Sequence, residues 1–355
     1  MRPTLRTVAD AVGVSRSTVS NAYSRPDQLS PDLREKIFEA ARRLGYAGPD
    51  PAARSLRRGR VGAIGVLFTA SLSYAFTDPY AVQYLRGVAE SAQREESGLL
   101  LVPQSLDDEA TAVDAVRNAV VDGFAIFCMP DWHPSLDAIQ ARGLPAVSGQ
   151  RRPGDGPGTM FVGIDEAAAT RVAGEHLARL GHRRIAVVGD YLTADEVDGP
   201  VPVSKPDDVP YFSSRERVRG YHEAFTAAGI DWAGVTTINA TVNSREAGAV
   251  AAAHALDRAP RPTAIAALSD VLALGVLDAL AARGLRPGLD VSVLGFDDIP
   301  ESATRSLTTV RQSAVERGRA SGRLLLDPPQ DPAGRQVVLP TELVVRASTA
   351  PASKE

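Results

Sequence analysis

The hydrophobic residues of the N-terminal segment recur at helical spacing, and small polar residues and glycines separate the helical runs. Thr7 is predicted to cap the first helix with Asp10 in the capping-box position, and Gly13 allows the tight turn that ends this helix. Ser15 then supplies the N-cap oxygen of a second helix. The apolar seam between the two helices is expected to consist of Ala9, Val14 and Val19.

A third helix has clear signals at both ends. Ser30 stands at the N-cap, Pro31 at the first helical position, and Gly45 just past the last turn. The apolar residues at helical spacing that should close the core are Leu33, Ile37, Ala40, Ala41 and Leu44. Residues 1–48 are therefore predicted to form a three-helix head that contains a helix-turn-helix.

The outer face of the second helix carries side chains that suit nucleic acid: Arg16, Ser17, Ser20 and Asn21. These residue types hydrogen-bond base edges or phosphates, and the first turn of a recognition helix enters the major groove. Three ordinary amphipathic helices with a glycine turn are the alternative. The capped third helix and the basic segment that follows favour DNA binding.

Charge is divided unevenly along the chain. Residues 1–60 hold twelve Lys or Arg and six Asp or Glu, a net charge of +6. Of the chain totals of 39 basic and 43 acidic residues, 27 and 37 fall in the remainder, a net charge of −10. A basic head on an acidic body favours polyanion binding by the head alone.

Residues 49–60 are rich in Pro, Gly and Arg and are predicted to be a hinge. A helix of about two turns is too short to be stable alone, so this segment should become ordered only against a partner. Leu56 could insert between base steps as an apolar wedge, with Arg54 and Arg57 near the flanking phosphates. A charged tether is the alternative, but a tether needs no leucine at its centre.

From Val61 onward, short apolar runs alternate with helix-period segments, which predicts two α/β lobes with parallel sheets. The first lobe should contain helices near 79–96 and 107–119, and the second should contain helices near 213–228, 244–259 and 270–283. Late segments such as 308–310 are expected to cross back between the lobes. Residues 61–355 are thus predicted to form one two-lobed, Rossmann-like core.

Parallel sheets bind ligands beyond the carboxyl ends of their strands, so two facing lobes should enclose a cleft there. The candidate cleft residues that follow strands are Tyr74, Phe76, Asp78, Tyr80, residues 129–131, residues 148–150, Asp190, Ser269, Asp270, Asp297 and Asp298. Carboxylates and aromatic faces suit a sugar or nucleoside. Any one of these aspartates could instead cap the next helix, and Asp297 is the strongest candidate for ligand contact.

Several classes of protein and site are not expected. Cys128 is the only cysteine, so no intrachain disulfide can form. No signal segment or membrane-length apolar run is visible, which predicts a cytosolic protein without a membrane partner. We find no phosphate loop, nucleophile elbow or metal-spaced histidine cluster. Neither an enzyme nor a cofactor nor a metal site is therefore expected.

Seven segments together resemble the LacI/GalR family of bacterial transcription repressors: the head, PAARSL, SSRERVRGYHEAF, SDVLALGVLDAL, LGFDDIP, LTTVRQ and LPTELVVR. The likeness covers nearly the whole chain. It implies a homodimer whose heads bind a pseudo-palindromic DNA operator and whose core resembles periplasmic sugar-binding proteins. It also implies a small effector, a sugar or nucleoside, in the cleft. A cytosolic sugar-binding protein without regulatory DNA binding is the alternative function.

The resemblance also implies roles for individual residues. In the head, Arg16, Ser17 and Asn21 would contact bases, Ser15, Thr18 and Ser20 would cap the helix or contact phosphates, and Leu56 would intercalate. Arg217 would clamp the effector, although a buried ion pair that holds the cleft together is the alternative. The other effector contacts would be Phe76, Asp78, Tyr80, Gln150, Ser269, Asp270 and Asp297.

The sequence departs from the family pattern at several positions. Asn21 replaces the Arg or His of many relatives, Gly48 is an extra residue, and Ser269 stands where Asn is common. The acidic, proline-containing segment 190–212 is longer than usual, and it could be a lid or a disordered loop. No leucine heptad ends the chain, so a coiled-coil tetramer is not expected. The operator sequence, the effector and the direction of the response are not transferable.

Overall fold

The computed structural model describes residues 3–48, 59–68, 72–105, 108–151, 160–195 and 197–353. The chain divides into two compact units, Met1–Gly62 and Ala63–Glu355. The predicted hinge residues Arg54, Leu56 and Arg57 lie outside the described residues.

Three α-helices form the head: α1 (Leu5–Val12), α2 (Arg16–Ser24) and α3 (Pro31–Leu44). Gly13 and Gly45 end α1 and α3 in the left-handed conformation that glycine adopts without strain, as the sequence predicted. The side chains of Ser15 and Ser30 cap α2 and α3. Val8, Val19 and Ile37 are fully buried among the residues that join the three helices.

Three predictions for the head were wrong. Thr4 is the N-cap of α1, and Thr7 takes part in the capping box as the third helical residue. Ser20 is buried and not on the outer face, because it lies one turn before Tyr23, which packs against Phe38 of α3. Leu44 is 39% exposed and therefore contributes little to the core.

The core unit contains thirteen described strands: β1 (Ala63–Phe68), β2 (Gly98–Pro103), β3 (Gly123–Phe127), β4 (Ala146–Ser148), β5 (Met160–Gly163), β6 (Ile185–Asp190), β7 (Gly199–Pro200), β8 (Thr236–Ala240), β9 (Ala264–Ala267), β10 (Ser292–Asp297), β11 (Thr308–Gln312), β12 (Gln336–Val338) and β13 (Thr341–Val344). The core helices described are α4 (Tyr74–Thr77), α5 (Pro79–Arg94), α6 (Glu109–Asn118), α7 (Ser135–Arg142), α8 (Glu166–Arg179), α9 (Phe212–Ala227), α10 (Arg245–Leu256), α11 (Asp270–Ala282), α12 (Pro300–Thr304) and α13 (Ala314–Leu326). The alternation of strands and helices agrees with the apolar pattern.

The strands form two sheets, one for each lobe. The first has the order β12-β5-β4-β3-β1-β2 and the second β13-β11-β10-β9-β6-β8-β7. The strand pairs of the first sheet are parallel, and in the second sheet only the outer strands β7 and β13 pair antiparallel. The chain crosses back late, but later than predicted: residues 308–310 stay in the second sheet as part of β11, β12 lies in the first sheet, and β13 lies in the second again.

Helices α5 and α13 pack against each other in the first lobe at very short range. A Cβ on Gly87 would lie 2.0 Å from the carbonyl oxygen of Val315, and one on Gly318 would lie 2.1 Å from that of Tyr84. Only glycine permits this approach without moving the backbone. The close contact matters for the cleft, because both helices carry side chains that line it.

The segment 190–212 forms part of the second lobe in its described residues. Strand β7 extends the edge of the sheet, and the indole of Trp232 donates a hydrogen bond to the carbonyl of Val203 at 2.8 Å. The side chain of Asn239 bonds both the carbonyl of Val197 and the amide of Leu192. Of the two interpretations left open for this segment, a disordered loop does not fit these contacts.

Within the part of the chain that the structure describes, no helix combines the length and apolar character that crossing a membrane requires.

Candidate functional site

A cavity of about 330 Å³ lies between the two sheets of the core. Its walls include the carboxyl ends of β1, β3, β6 and β10, the place predicted for a cleft. The lining residues are Phe68, Tyr74, Asp78, Tyr80, Phe127, Cys128, Glu166, Asp190, Tyr191, Tyr211, Ser213, Ser214, Arg217, Val242, Asn243, Ser244, Leu268, Ser269, Asp297, Gln312 and Arg317. The volume falls within the usual range for a small-molecule site.

Arg217 on α9 is the centre of an ion-pair network in the second lobe. Its Nε donates to Glu166 at 2.8 Å, Nη1 donates to the carbonyl of Leu268 at 2.5 Å, and the guanidinium lies 3.8 Å from the centre of the Phe296 ring. Burial lowers the pKa of Arg217, but the charges of Glu166 and Asp297 offset this effect and the net pKa is raised. The guanidinium is therefore contacted by protein groups on several sides, and it also lines the cavity.

Asp297 and Asp190 present carboxylates to the cavity from the ends of β10 and β6. Burial raises the pKa of both carboxyls, against the attraction of the Arg217 charge. Asp297 accepts a hydrogen bond of 2.6 Å from Nε2 of Gln312 and has a φ of 125°, a strained backbone conformation for a residue with a side chain. Buried carboxyl oxygens can accept hydrogen bonds from ligand hydroxyls.

A chain of hydrogen bonds joins the second lobe to the first across the cavity. Ser269 donates to Oδ1 of Asn243 at 2.6 Å, and Nδ2 of Asn243 donates to the Tyr74 hydroxyl at 3.1 Å. That hydroxyl donates to Asp78 at 2.6 Å. Ser269 and Asp78 also cap α11 and α5, so cleft position and helix capping are combined in the same residues.

Tyr80 and Arg317 form a second polar part of the first-lobe wall, beside Tyr74 and Asp78. The Tyr80 hydroxyl donates to Oε1 of Gln312 at 2.9 Å and accepts from Nη1 of Arg317 at 3.1 Å. Arg317, on α13, is 5% exposed. Its guanidinium fills the space beside Gly149, where a Cβ would lie 1.6 Å from Nη2.

Three predicted effector contacts do not line the cavity. Phe76 is 65% exposed because α4 turns its side chain to solvent. Gln150 is buried and donates to Ser213. Asp270 is enclosed, and its carboxylate accepts from the Ser302 and Thr309 hydroxyls, so its position at the start of α11 directs it into the protein.

Among the predicted contacts, the structure brings Asp78, Tyr80, Arg217, Ser269 and Asp297 together around the cavity.

Several cavity residues were missed by the sequence interpretation, above all Arg317, Glu166, Asn243 and the two tyrosines 191 and 211. Arg317 had a detectable signal, because it falls on the buried face of α13 with Ala314, Gly318 and Ser321 at helical spacing. An arginine on such a face predicts a buried charge. Tyr211 gave no comparable signal, since its place depends on the conformation of segment 190–212.

Further contacts hold the two lobes together beside the cavity. The Tyr211 hydroxyl donates to the carbonyl of Cys128 at 2.7 Å, and Arg215 lies 3.5 Å from Asp131. Tyr191 and Tyr211 are in ring contact at 5.4 Å between centroids. Burial raises the pKa of the Cys128 thiol to about 11, so this thiol is neutral at physiological pH.

The head presents a polar surface at the start of α2. Arg16 and Ser17 are exposed, Asn21 is half-buried, and Thr7 is exposed on α1. The Ser15 hydroxyl lies 2.7 Å from that of Ser17 and 2.8 Å from that of Thr18, so these three side chains form one local network. Exposed donors in the first turn of a second helix match the geometry of major-groove recognition.

Two family profiles match the chain. The profile of bacterial regulatory proteins of the lacI family covers residues 4–48, and that of the periplasmic binding protein-like domain covers residues 175–349.

Similar proteins extend over almost the full length. An HTH-type transcriptional regulator of Mycolicibacterium smegmatis is 42% identical over 99% of this chain and 97% of that protein. The solved complex of the transcriptional regulator CelR with cellobiose is 29% identical, with a TM-score of 0.68 over 98% of this chain and 100% of that one. The lac repressor dimer bound to operator and the anti-inducer ONPF is 26% identical, with a TM-score of 0.76 over 99% and 100% of the two chains.

Proposed function

Because the chain belongs to the LacI family and is a DNA-binding transcriptional regulator, we propose that a small ligand in the core cavity controls the affinity of its head for DNA. The observation that carries this proposal is the cavity itself. Carboxylates from both lobes and aromatic rings converge on a space of about 330 Å³ at the carboxyl ends of parallel strands.

The chemistry of the cavity supports a polyhydroxylated ligand such as a sugar or nucleoside. Asp78, Asp190 and Asp297 offer acceptor oxygens, while Tyr80 and Tyr211 offer ring faces and hydroxyls. The cellobiose bound by CelR, which has the same fold, is a ligand of this kind. The cavity acts as a sensor and not as an active site.

We further propose that Arg16, Ser17 and Asn21 contact base edges, while Ser15 and Thr18 organise the start of α2. Thr7, Ser20, Arg54, Leu56 and Arg57 complete the proposed DNA-binding set. For Ser20, burial limits the role to positioning the helix. A homodimer on a pseudo-palindromic operator in the cytoplasm is the expected assembly, by analogy with the operator-bound lac repressor dimer.

The mechanism is a linkage between two binding equilibria. The ligand contacts both lobes and favours one lobe arrangement, while DNA favours the arrangement that lets the two hinge segments, residues 49–60, pair. Each ligand must then change the affinity for the other by the same factor. The domain division that this mechanism needs is a head at 1–48, the hinge, and an effector-binding core at 61–355.

Selection of bound sequences from a random duplex pool tests the proposal. The wild type should enrich a palindrome, and Arg16→Ala or Asn21→Ala should relax base preference at particular positions. Arg94→Ala, which removes an exposed arginine of the core, is the matched control and should leave the enriched sequence unchanged. No enrichment by the wild type would contradict regulation through DNA and favour a ligand-binding protein.

A further inference from the structure

Arg317 differs from Arg217, the other arginine of the cavity, in having no ionic partner among the described residues, whereas Arg217 pairs with Glu166. The only hydrogen bond of its guanidinium to the described residues is the one from Nη1 to the Tyr80 hydroxyl, at 3.1 Å. The other groups near it, Tyr84 and Cys128, are neutral at physiological pH because burial raises the pKa of each. Four of the five N–H donors of the guanidinium therefore have no acceptor among the described side chains.

A guanidinium in this position is costly to the protein when the cavity is empty. A buried charge without a counter-charge loses hydration that nothing replaces, and its pKa is too high for it to become neutral. Any residue other than glycine at position 149 would clash with this guanidinium. The glycine therefore indicates a site built around Arg317.

Arg317 faces a cavity that also holds four acidic side chains, those of Asp78, Glu166, Asp190 and Asp297. Arg217, the second arginine, already bonds Glu166 and the carbonyl of Leu268, so it has little capacity for a ligand anion. Asp190 and Asp297 suit ligand hydroxyls, and Arg317 suits an oxyanion, because its planar fork matches two oxygens at once.

We propose that the ligand is a hydroxylated molecule with one anionic group, a carboxylate or a phosphate, and that this group pairs with Arg317. The inference rests on the proposed ligand-binding role of the cavity and adds the class of ligand: a sugar acid or sugar phosphate in place of a neutral sugar. The hydroxyl groups face the second lobe, and the anion faces α13 and Tyr80.

The test is calorimetric titration of the full-length protein with glucose, glucuronate and glucose 6-phosphate. These probes share a ring and differ in the anionic group. At least one of the two anions should bind the wild type roughly tenfold to a hundredfold more tightly than glucose, as expected for a charge-assisted contact. The anion that binds more tightly identifies the ligand's anionic group as a carboxylate or a phosphate.

Variants then assign the preference to Arg317. Arg317→Met should remove most of the preference for the anion, and Arg317→Lys should retain part of it, because lysine keeps the charge but lacks the fork. Arg323→Met is the control on the same helix, since Arg323 is exposed and pairs with Glu316. If Arg317→Met does not fold, as judged by circular dichroism, Arg317→Lys alone carries the comparison.

Three results would overturn the inference: glucose binding as tightly as both anions, no binding of either anion, or an unchanged preference in the Arg317 variants. None of these would affect the selection of a palindromic duplex by the head. Failure of the proposed regulatory function would instead appear as a lack of DNA enrichment, so the two failures are distinguishable.

Discussion

The two arginines that line the cavity are both almost enclosed, yet their surroundings differ. Arg217 in the second lobe bonds Glu166 and a backbone carbonyl and lies on the Phe296 ring. Arg317 in the first lobe donates to one neutral hydroxyl and lies 6.0 Å from the centre of the Tyr84 ring, with no acidic partner among the described residues. Burial alone therefore does not distinguish the role of Arg217 from that of Arg317. We expect Arg217, which has an acidic partner, to contribute more to stability than Arg317, and we propose Arg317 as the arginine that is available to a ligand anion.

The largest effect is expected from breaking the Arg217 network. Arg217→Met leaves Glu166 buried without its partner, and we expect the free energy of unfolding to fall by about 3–5 kcal/mol. Urea denaturation measures this loss. The double variant with Glu166→Gln should recover part of it, because the unpaired charge is gone. A loss that does not depend on Glu166 would argue against a structural ion pair.

The pH dependence of stability should distinguish Asp297 from the surface carboxylates. Burial raises the pKa of Asp297, so the folded protein holds this proton more tightly than the unfolded chain does. The resulting stability is present below the ordinary pKa of 3.8 and is lost as the pH rises through the raised value. Relative to Asp297→Asn, the wild type should lose stability from about pH 4 upward.

Urea midpoints of both proteins across this range test the prediction. Asp114→Asn is the control, because Asp114 is exposed on α6. Parallel curves of urea midpoint against pH for the wild type and Asp297→Asn would contradict a raised pKa of Asp297 in the folded protein.

Arg317→Met should change the free energy of unfolding in the opposite direction to Arg217→Met. Without ligand, replacing an unpaired buried guanidinium by an apolar side chain should raise the free energy of unfolding by about 1 kcal/mol. Arg323→Met should change it by less than about 0.5 kcal/mol, as is usual for exposed positions. Destabilisation by Arg317→Met of the size expected for Arg217→Met would mean that both arginines have the same structural role.

The smallest effect is expected at the contact between the lobes. Tyr211→Phe removes one hydrogen bond, to the carbonyl of Cys128, and should cost about 0.5–1 kcal/mol. Differential scanning calorimetry would detect the loss as a lower Tm. Tyr221→Phe is the matched variant and should change stability less, because the buried Tyr221 hydroxyl makes no hydrogen bond within the described residues. Equal losses in both variants would remove the special role of the Tyr211 hydroxyl.

Local chemistry predicted the fold well, because caps and periodicity depend on neighbouring residues. Gly13, Ser15, Ser30 and Gly45 all act at the helix ends where the sequence put them. Thr7 was misplaced by one turn, since Thr4 offers the same hydroxyl earlier in the chain. Alternation of apolar runs and helix-period segments was enough to predict both sheets, but the return to the first sheet occurs at β12 and not at the predicted residues 308–310.

The cavity was predictable only in part. Residues at or beyond the carboxyl end of a strand, such as Asp78, Ser269 and Asp297, follow from the rule for parallel sheets. Asp270 obeys the same rule in sequence, but its first-turn position directs the carboxylate to Ser302 and away from the cavity. Arg317 reaches the cavity from a helix, through the close packing of α5 and α13, and such packing is not visible in the order of residues along the chain.

The most direct test of the link between cavity and head is a DNA titration with and without ligand. Fluorescence anisotropy would measure the Kd of the selected duplex alone and with saturating glucuronate or glucose 6-phosphate, whichever binds more tightly. We predict a change in Kd of roughly fivefold or more, the usual size of coupling between two sites. An unchanged Kd with the cavity occupied would contradict control of the head by the core.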